Sequence, residues 1–348
     1  MQTLILHIKD ENDPQLETAA RILREGGTVI FPTETVYGLG ANGLSAEAAG
    51  RIYAAKGRPS DNPLILHIAD WRQISQVAAV VPPVAEALAR HFWPGPLTLI
   101  LQKRPEVPAA VTGGLDTVAV RLPAHPVARR LIALAGVPVA APSANLSGKP
   151  SPTRAAHVVA DMDGRVDCIL CGEASHDGVE STVLDLTVTP PVVLRPGGVT
   201  LEALQAVLPE VVMDLALEAH QAALTPKAPG MKYAHYAPEA PLTLFTGAGE
   251  AALSGLTAAV RASQASGLSV AVMAQEEHRS RFEALGAAFV TLGAGDRPEE
   301  AARLLFQALR QCNELEVAQI FALGIPERGI GRAVMNRLRK AAGGNVVE

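Results

Sequence analysis

Short β-branched runs alternate with alanine-rich stretches along nearly the whole chain, and this alternation restricts the fold to the α/β class. "TLILHI" (3–8), "TVIFPT" (28–33), "PLILHI" (63–68), "LTLILQK" (97–103) and "TVAVRLP" (117–123) read as strands. "PQLETAARILREGG" (14–27), "SAEAAGRIYAAKG" (45–57), "PPVAEALARHF" (82–92) and "HPVARRLIALAG" (125–136) read as helices between them, with Ser45 placed to cap the second. "VPVAAPSAN" (137–145) follows, then strands "VDCILCG" (166–172), "STVLDLT" (181–187) and "VVLRPGG" (192–198) and a helix "TLEALQAVLP" (200–209). So many consecutive strands predict a mixed sheet over residues 1–209. Residues 210–240 break the rhythm. "ALTPKAPGMKYAHYAPEAP" carries four prolines and two tyrosines, and reads as an ordered linker. From 241 to 348 the alternation returns with "PLTLF", "LSVAVMA", "AAFVTLG" and "VAQIFALG", which predicts a small doubly wound unit.

Composition narrows the function. The chain has 348 residues, 48% of them hydrophobic and 19% charged, so a packed core is expected. A net charge of −5 excludes a globally basic nucleic-acid surface and leaves only a local patch. The start, MQTLILHIKDENDP, lacks the basic and long apolar stretches of a signal peptide, and no apolar run reaches membrane-spanning length. Three cysteines give no disulfide framework. These features predict a soluble cytoplasmic protein without a membrane partner. Cys168 and Cys171 form a lone C-x-x-C inside a strand-like run and read as small buried hydrophobes. Nine histidines show no zinc spacing, and no metal ligand set is expected from the protein.

Gly38, Gly40 and Gly43 match G-x-G-x-x-G, but Pro32 and "TETVY" separate them from the preceding strand. They read as a tight turn beside a ligand. Gly247, Gly249 and Ala252 fit the looser G-x-G-x-x-A directly after a strand, a pattern that alanine-rich helices also produce by chance. No P-loop signature is present, so a triphosphate needs another device. Lys56 and Arg58 flank Gly57 at a helix end, and "PSANLSGKPSPT" (142–153) offers hydroxyls, amides and backbone N–H groups. The same stretch also reads as a plain surface turn. Arg121 lies inside an apolar strand, where it needs an anion. His67 sits in another such strand and reads as a core histidine with one hydrogen bond. Ser181, Thr182 and Arg195 stand at strand ends, where ligands of open α/β sheets bind.

Eight segments in order resemble the threonylcarbamoyl-AMP synthase family in its long form, a YrdC domain followed by a Sua5 domain. They are "FPTETVYGLG" (31–40), "KGRPSDNPL" (56–64), "FWPGPLT" (92–98), "VAVRLPAHPVA" (118–128), "APSANLSG" (141–148), "STVLDL" (181–186), "LRPGG" (194–198) and "PGMKYAHYAP" (229–238). The resemblance implies a twisted mixed sheet with helices around a concave cleft, plus a Rossmann-like C-terminal domain. It implies an enzyme that condenses L-threonine, bicarbonate and ATP, the last with Mg2+, to threonylcarbamoyl-AMP and pyrophosphate. A partner transferase then passes the threonylcarbamoyl group to tRNA position 37. By the same resemblance Lys56 and Arg58 hold phosphates and carry the catalysis, with Asn62, Thr117, Ser143, Asn145, Ser151, Arg195 and Tyr236 around the nucleotide. Arg121 takes the threonine carboxylate, with Thr35, His67 and Ser181 on its polar groups. Lys232, Tyr233 and His235 form a lid. The family's lid often reads K-Y-R-H-Y, and here Ala234 stands in its third position. A non-catalytic module for double-stranded RNA or tRNA remains the alternative, since phosphate-binding groups suit either, and a weak direct tRNA contact stays open. An amino-acid pocket of Arg121, His67 and Thr35 is what RNA binding does not need. The hydrogenase-maturation carbamoyltransferases that share this domain carry cysteine clusters that this chain lacks.

Overall fold

The computed structural model describes residues 2–218, 236–247 and 249–348. The chain divides into two compact units. One holds residues 1–147, 151–176 and 180–233, and the other 148–150, 177–179 and 234–348.

Among the described residues the first unit carries eleven strands: β1 (Leu4–His7), β2 (Val29–Phe31), β3 (Gly38–Asn42), β4 (Ile65–His67), β5 (Leu97–Gln102), β6 (Thr117–Arg121), β7 (Val139–Ala140), β8 (Cys168–Cys171), β9 (Thr182–Asp185), β10 (Val192–Arg195) and β11 (Val212–Met213). They form one sheet in the order β1-β8-β2-β3-β7-β4-β6-β5-β9-β10-β11, with parallel and antiparallel pairs mixed. The mixed α/β class predicted from the alternation is the one observed. Several elements differ from the reading of the sequence. Of the glycines expected to turn at 38–43, Gly38 and Gly40 lie in β3, and only Gly43 lies in the turn that follows it. A side chain at Gly40 would fall 2.6 Å from the Phe31 ring and 2.7 Å from Val139, so glycine there permits close strand packing. Val212 and Met213, inside the stretch read as linker, pair with β10. A helix over Ala155–Met162 was not singled out from the sequence.

Side chains alternate across the sheet. Ile30, Leu39, Leu66, Leu99 and Val120 enter the main core with Ile52, Leu88 and Val158 from the helices. Phe31, Val29 and Val139 pack on the other side against Leu16, Leu23, Leu131 and Ile132. A third, smaller cluster holds Ile65, Ile100, Ala119, Val183 and Leu194. Period two therefore puts Thr117 and Arg121 on the Ala119 face, His67 on the Ile65 face and Thr98 on the Ile100 face. This face of the sheet, opposite the main core, carries the polar residues discussed below. Cys168 and Cys171 are buried free thiols in β8. Apolar surroundings push Cys168 up to about 12.

The second unit has β12 (Leu242–Phe245), β13 (Val270–Ala274), β14 (Ala288–Thr291), β15 (Gln319–Leu323) and β16 (Val346–Val347), all parallel, in the order β14-β13-β15-β12-β16. Crossovers run left from β12 and β13 and right from β14 and β15. Right-handed connections then put helices on both faces, the doubly wound arrangement. No helix among the described residues is long and apolar enough to cross a membrane.

Candidate active site

The polar groups gather at two places along β4 and β6. The first grows from the helix Ala46–Lys56. Ser45 caps its start by accepting from Ala48 N, and Gly57 closes it in the left-handed conformation at φ +61°. That turn delivers Lys56 and Arg58 to one spot. Both are buried. The Lys56 ammonium donates to the carbonyls of Ser143 and Asn145, each at 2.5 Å, while Ser147 N donates back to the Lys56 carbonyl at 3.0 Å. One lysine thus sets the path of the 143–147 loop. Ser143 Oγ donates to Asn145 Oδ1 at 2.6 Å. Arg58 donates to the Asn62 and Pro63 carbonyls at 3.3 and 3.2 Å. Burial, then the neighbouring Arg58 charge, holds the Lys56 ammonium well below the usual lysine range, with Asp161 opposing. An arriving anion would reverse that pressure. Asn62 Oδ1 is buried and has no hydrogen-bond partner among the described residues. The β4–β6 register, Ile65 beside Ala119, carries Thr117 next to Pro63 and so into this group.

The second group lies about 13 Å further along the same strands, four residues at about 3.3 Å each. His67 and Arg121 are register partners between β4 and β6, and Thr98 faces Arg121 from β5. Arg121 is 4% exposed. Its NH1 donates to Thr35 Oγ1 at 2.9 Å and its Nε to the Gly95 carbonyl at 3.2 Å. Its NH2 lies 2.6 Å from Glu34 Oε1 in an ion pair without hydrogen-bond alignment. Burial pushes the Glu34 carboxyl up, but Arg121 and the Ala124 N–H outweigh it and hold it below the usual range. His67 is pushed down to about 3 by burial and then by the Arg121 charge, so it is neutral. Ser181 Oγ and Thr98 Oγ1 share a hydrogen bond at 2.7 Å. Arg195 donates from NH2 to the Ser181 carbonyl and hydroxyl, at 2.9 and 3.1 Å. Ser151 Oγ donates to Glu180 Oε1 at 2.8 Å. Gly197 lies hard against this segment. A Cβ there would fall 2.3 Å from Glu180 O, Ser181 C and Thr182 N.

The structure therefore brings together Lys56, Arg58, Asn62, Thr117, Ser143 and Asn145 at one end, and Thr35, His67, Arg121, Ser181, Arg195 and Ser151 at the other. Ser151 and Arg195, assigned by resemblance to the nucleotide, stand beside Ser181, assigned to threonine. Tyr236 belongs to the second unit, where its ring lies 5.0 Å from that of Phe306 and its backbone is left-handed at φ +67°. Lys232, Tyr233 and His235 lie outside the described residues. Glu34, Thr98 and Glu180 were not singled out from the sequence. Glu34 and Glu180 each precede a chosen residue, Thr35 and Ser181, and an acid beside a buried cation's neighbour was the available signal.

Fold and site define the class: an α/β protein whose mixed sheet carries two buried cationic groups, one at the end of the helix Ala46–Lys56 and one at the end of β6. Residues 21–197 match the Sua5/YciO/YrdC family, described as "Telomere recombination", and residues 199–343 match the threonylcarbamoyl-AMP synthase C-terminal domain. The chain belongs to the threonylcarbamoyl-AMP synthase family. It is 47% identical to the Pyrococcus abyssi (strain GE5 / Orsay) threonylcarbamoyl-AMP synthase over 99% of both chains. To that of Bacillus subtilis (strain 168) it is 48% identical, over 97% of this chain and 95% of the relative. The crystal structure of P. abyssi Sua5 complexed with L-threonine, 47% identical and covering 99% of each chain, superposes with a TM-score of 0.92. The YrdC-like N-terminal and Rossmann-like C-terminal architecture expected from the resemblance is thus the one found.

Proposed function

We infer that this chain is a threonylcarbamoyl-AMP synthase. It joins L-threonine, bicarbonate and ATP into threonylcarbamoyl-AMP, releasing pyrophosphate and water. The observation that carries the reading is the pair of buried cation groups at opposite ends of β4 and β6. One end suits an α-carboxylate and a hydroxyl. The other suits phosphates.

The chemistry needs no protein nucleophile. Threonine nitrogen takes up bicarbonate to give a carbamate, a carbamate oxygen attacks the α-phosphorus, and pyrophosphate leaves. What the residues supply is position and charge. In our reading Arg121 grips the threonine carboxylate, with Thr35 holding one side of its guanidinium. Neutral His67 presents a ring nitrogen beside it without adding repulsion. Lys56 and Arg58 neutralise the phosphates. Ser181, in direct contact with Arg195, stands where carbamate and α-phosphate meet, and this explains why residues assigned to different substrates share one hydrogen-bond group. Magnesium arrives with the ATP, and the unpartnered Asn62 Oδ1 fits a water of its hydration shell. When bound it supplies further charge neutralisation on the phosphates. We place the enzyme in the cytoplasm, upstream of a transferase that moves the threonylcarbamoyl group to tRNA position 37.

Pyrophosphate release measured with each substrate omitted in turn tests this. Release should require both L-threonine and bicarbonate. Equal release without either would refute it and leave RNA binding as the better reading.

A further inference from the structure

The second unit holds a cavity of about 630 Å3 lined by none of the residues assigned above to the synthase reaction. It opens at the carboxyl ends of β12, β13 and β15. The connection after β13 runs left and the one after β15 runs right, so these neighbours part at a topological switch point, where doubly wound sheets hold ligands. Its size falls in the range of small-molecule sites.

The walls state what would fit. Leu253, Leu323, Ile325, Pro326 and Met335 make an apolar side. Gln275 lines the cavity, is 6% exposed, and its Nε2 has no hydrogen-bond partner. A buried amide N–H without an acceptor is costly, and a ligand acceptor would satisfy it. At the far side the 16-residue helix Glu250–Ala265 begins at Gly249, with no side-chain cap. Gly247 and Gly249 sit at φ +113° and +69°, conformations that glycine alone adopts freely. Among the described residues no side chain caps the first-turn N–H groups of that helix, which suit an acceptor. Ala248 lies outside the described residues. Two carboxylates line the cavity, Glu250 and Glu327, each also paired with an arginine, Arg281 at 3.0 Å and Arg339 at 2.5 Å. Among the described residues no lysine or arginine lines it, and His278 is the one basic side chain in its wall.

We propose that this cavity is a separate binding site for a nucleoside carrying at most one phosphate. The apolar wall takes the base, and Gln275 Nε2 donates to an acceptor on its edge. The carboxylates of Glu250 and Glu327 accept from the ribose hydroxyls. The uncapped helix start takes the 5′-hydroxyl or a single phosphate. A triphosphate or a free amino acid calls for a lysine or arginine, and among the described residues the lining has neither, only His278.

The test is hydrogen exchange on the full chain with adenosine, AMP, inorganic phosphate or ATP added separately. Adenosine and AMP should slow exchange in residues 249–253 and 323–327, and ATP should slow it only in 56–67 and 143–147. Gln275→Met keeps the volume and removes the donor. It should weaken that protection by adenosine roughly ten-fold in apparent Kd, with pyrophosphate release unchanged and the thermal midpoint of the free protein not lowered. Adenosine protection confined to the first unit would overturn the proposal. So would protection by inorganic phosphate equal to that by AMP, or an unaltered adenosine Kd in a folded Gln275→Met variant.

Discussion

The first unit gathers several buried cations around its sheet, and among the described residues the second buries one arginine, Arg337. In the first, Lys56, Arg58, Arg121 and Arg195 are all buried, the first two at and just beyond a helix end and the others at strand ends. In the second, Arg337 is fully buried on a helix, while the ion pairs of Arg279 with Glu276 and Glu283, Arg297 with Glu300, and Arg281 with Glu250 are solvated. Solvated pairs contribute little, whereas buried cations are costly unless something compensates them. Arg121 and Arg195 carry that cost on one face of the sheet, over the small cluster of Ile65, Ile100, Ala119, Val183 and Leu194, and Lys56 and Arg58 carry it where the helix Ala46–Lys56 ends. Concentrated buried charge marks where chemistry is done, and a sheet can be read for function by asking which face tolerates it.

The sharpest way to break this contrast is Lys56→Met, which keeps the stem and removes the charge. Pyrophosphate release should fall by about 10² to 10³, as for loss of one preorganised charge contact. A folded variant that retains full rate would make Lys56 only the clamp of the 143–147 loop. Next comes Arg121. Arg121→Met together with Glu34→Gln removes the ion pair without stranding a carboxylate, and threonine binding should weaken by about 2–5 kcal/mol. Calorimetry should show ATP affinity nearly unchanged, and an unchanged threonine affinity would assign Arg121 to structure alone.

A smaller effect concerns pH. His67 takes up a proton near 6.5 in the unfolded chain, but the fold keeps it neutral down to about 3. Between those values the unfolded state binds more protons, so stability falls as pH drops from about 6.5 towards 3, by at most about 1.4 kcal/mol per pH unit. His67→Asn should flatten that slope in denaturant titrations at pH 7, 6 and 5, and parallel slopes would contradict the assignment. The smallest effect belongs to the second unit. Glu283→Ala, which breaks a solvated pair with Arg279, should change unfolding free energy by less than about 0.5 kcal/mol. A larger loss would erase the distinction between the two units.

Much of this was legible in the residues. Period-two apolar runs and alanine-rich helices located most elements, and an arginine inside "VAVRLP" signalled a buried anion partner. The structure supplies that partner from within, Glu34, alongside whatever ligand binds. Its role was hidden because a carboxylate in a loop looks solvated until strand register brings Arg121 to it. β3 was misread because glycine content argues for a turn, and only the Phe31 and Val139 side chains across from Gly40 show why a strand needs it. The grouping of Arg195 with Ser181 depends on an antiparallel pair between β9 and β10, and no local pattern encodes which hydroxyl an arginine will meet.

Gly197 has a consequence for how this chain can vary by inheritance. Its backbone is not in a conformation reserved for glycine; it lacks only room, because the Glu180–Thr182 backbone occupies the place of a first side-chain atom. Alanine, the smallest step a single codon change can take, already displaces the segment that carries Ser181. A lineage reaching this position by drift thus meets a closed door and not a slope, and compensation must come from moving a whole strand.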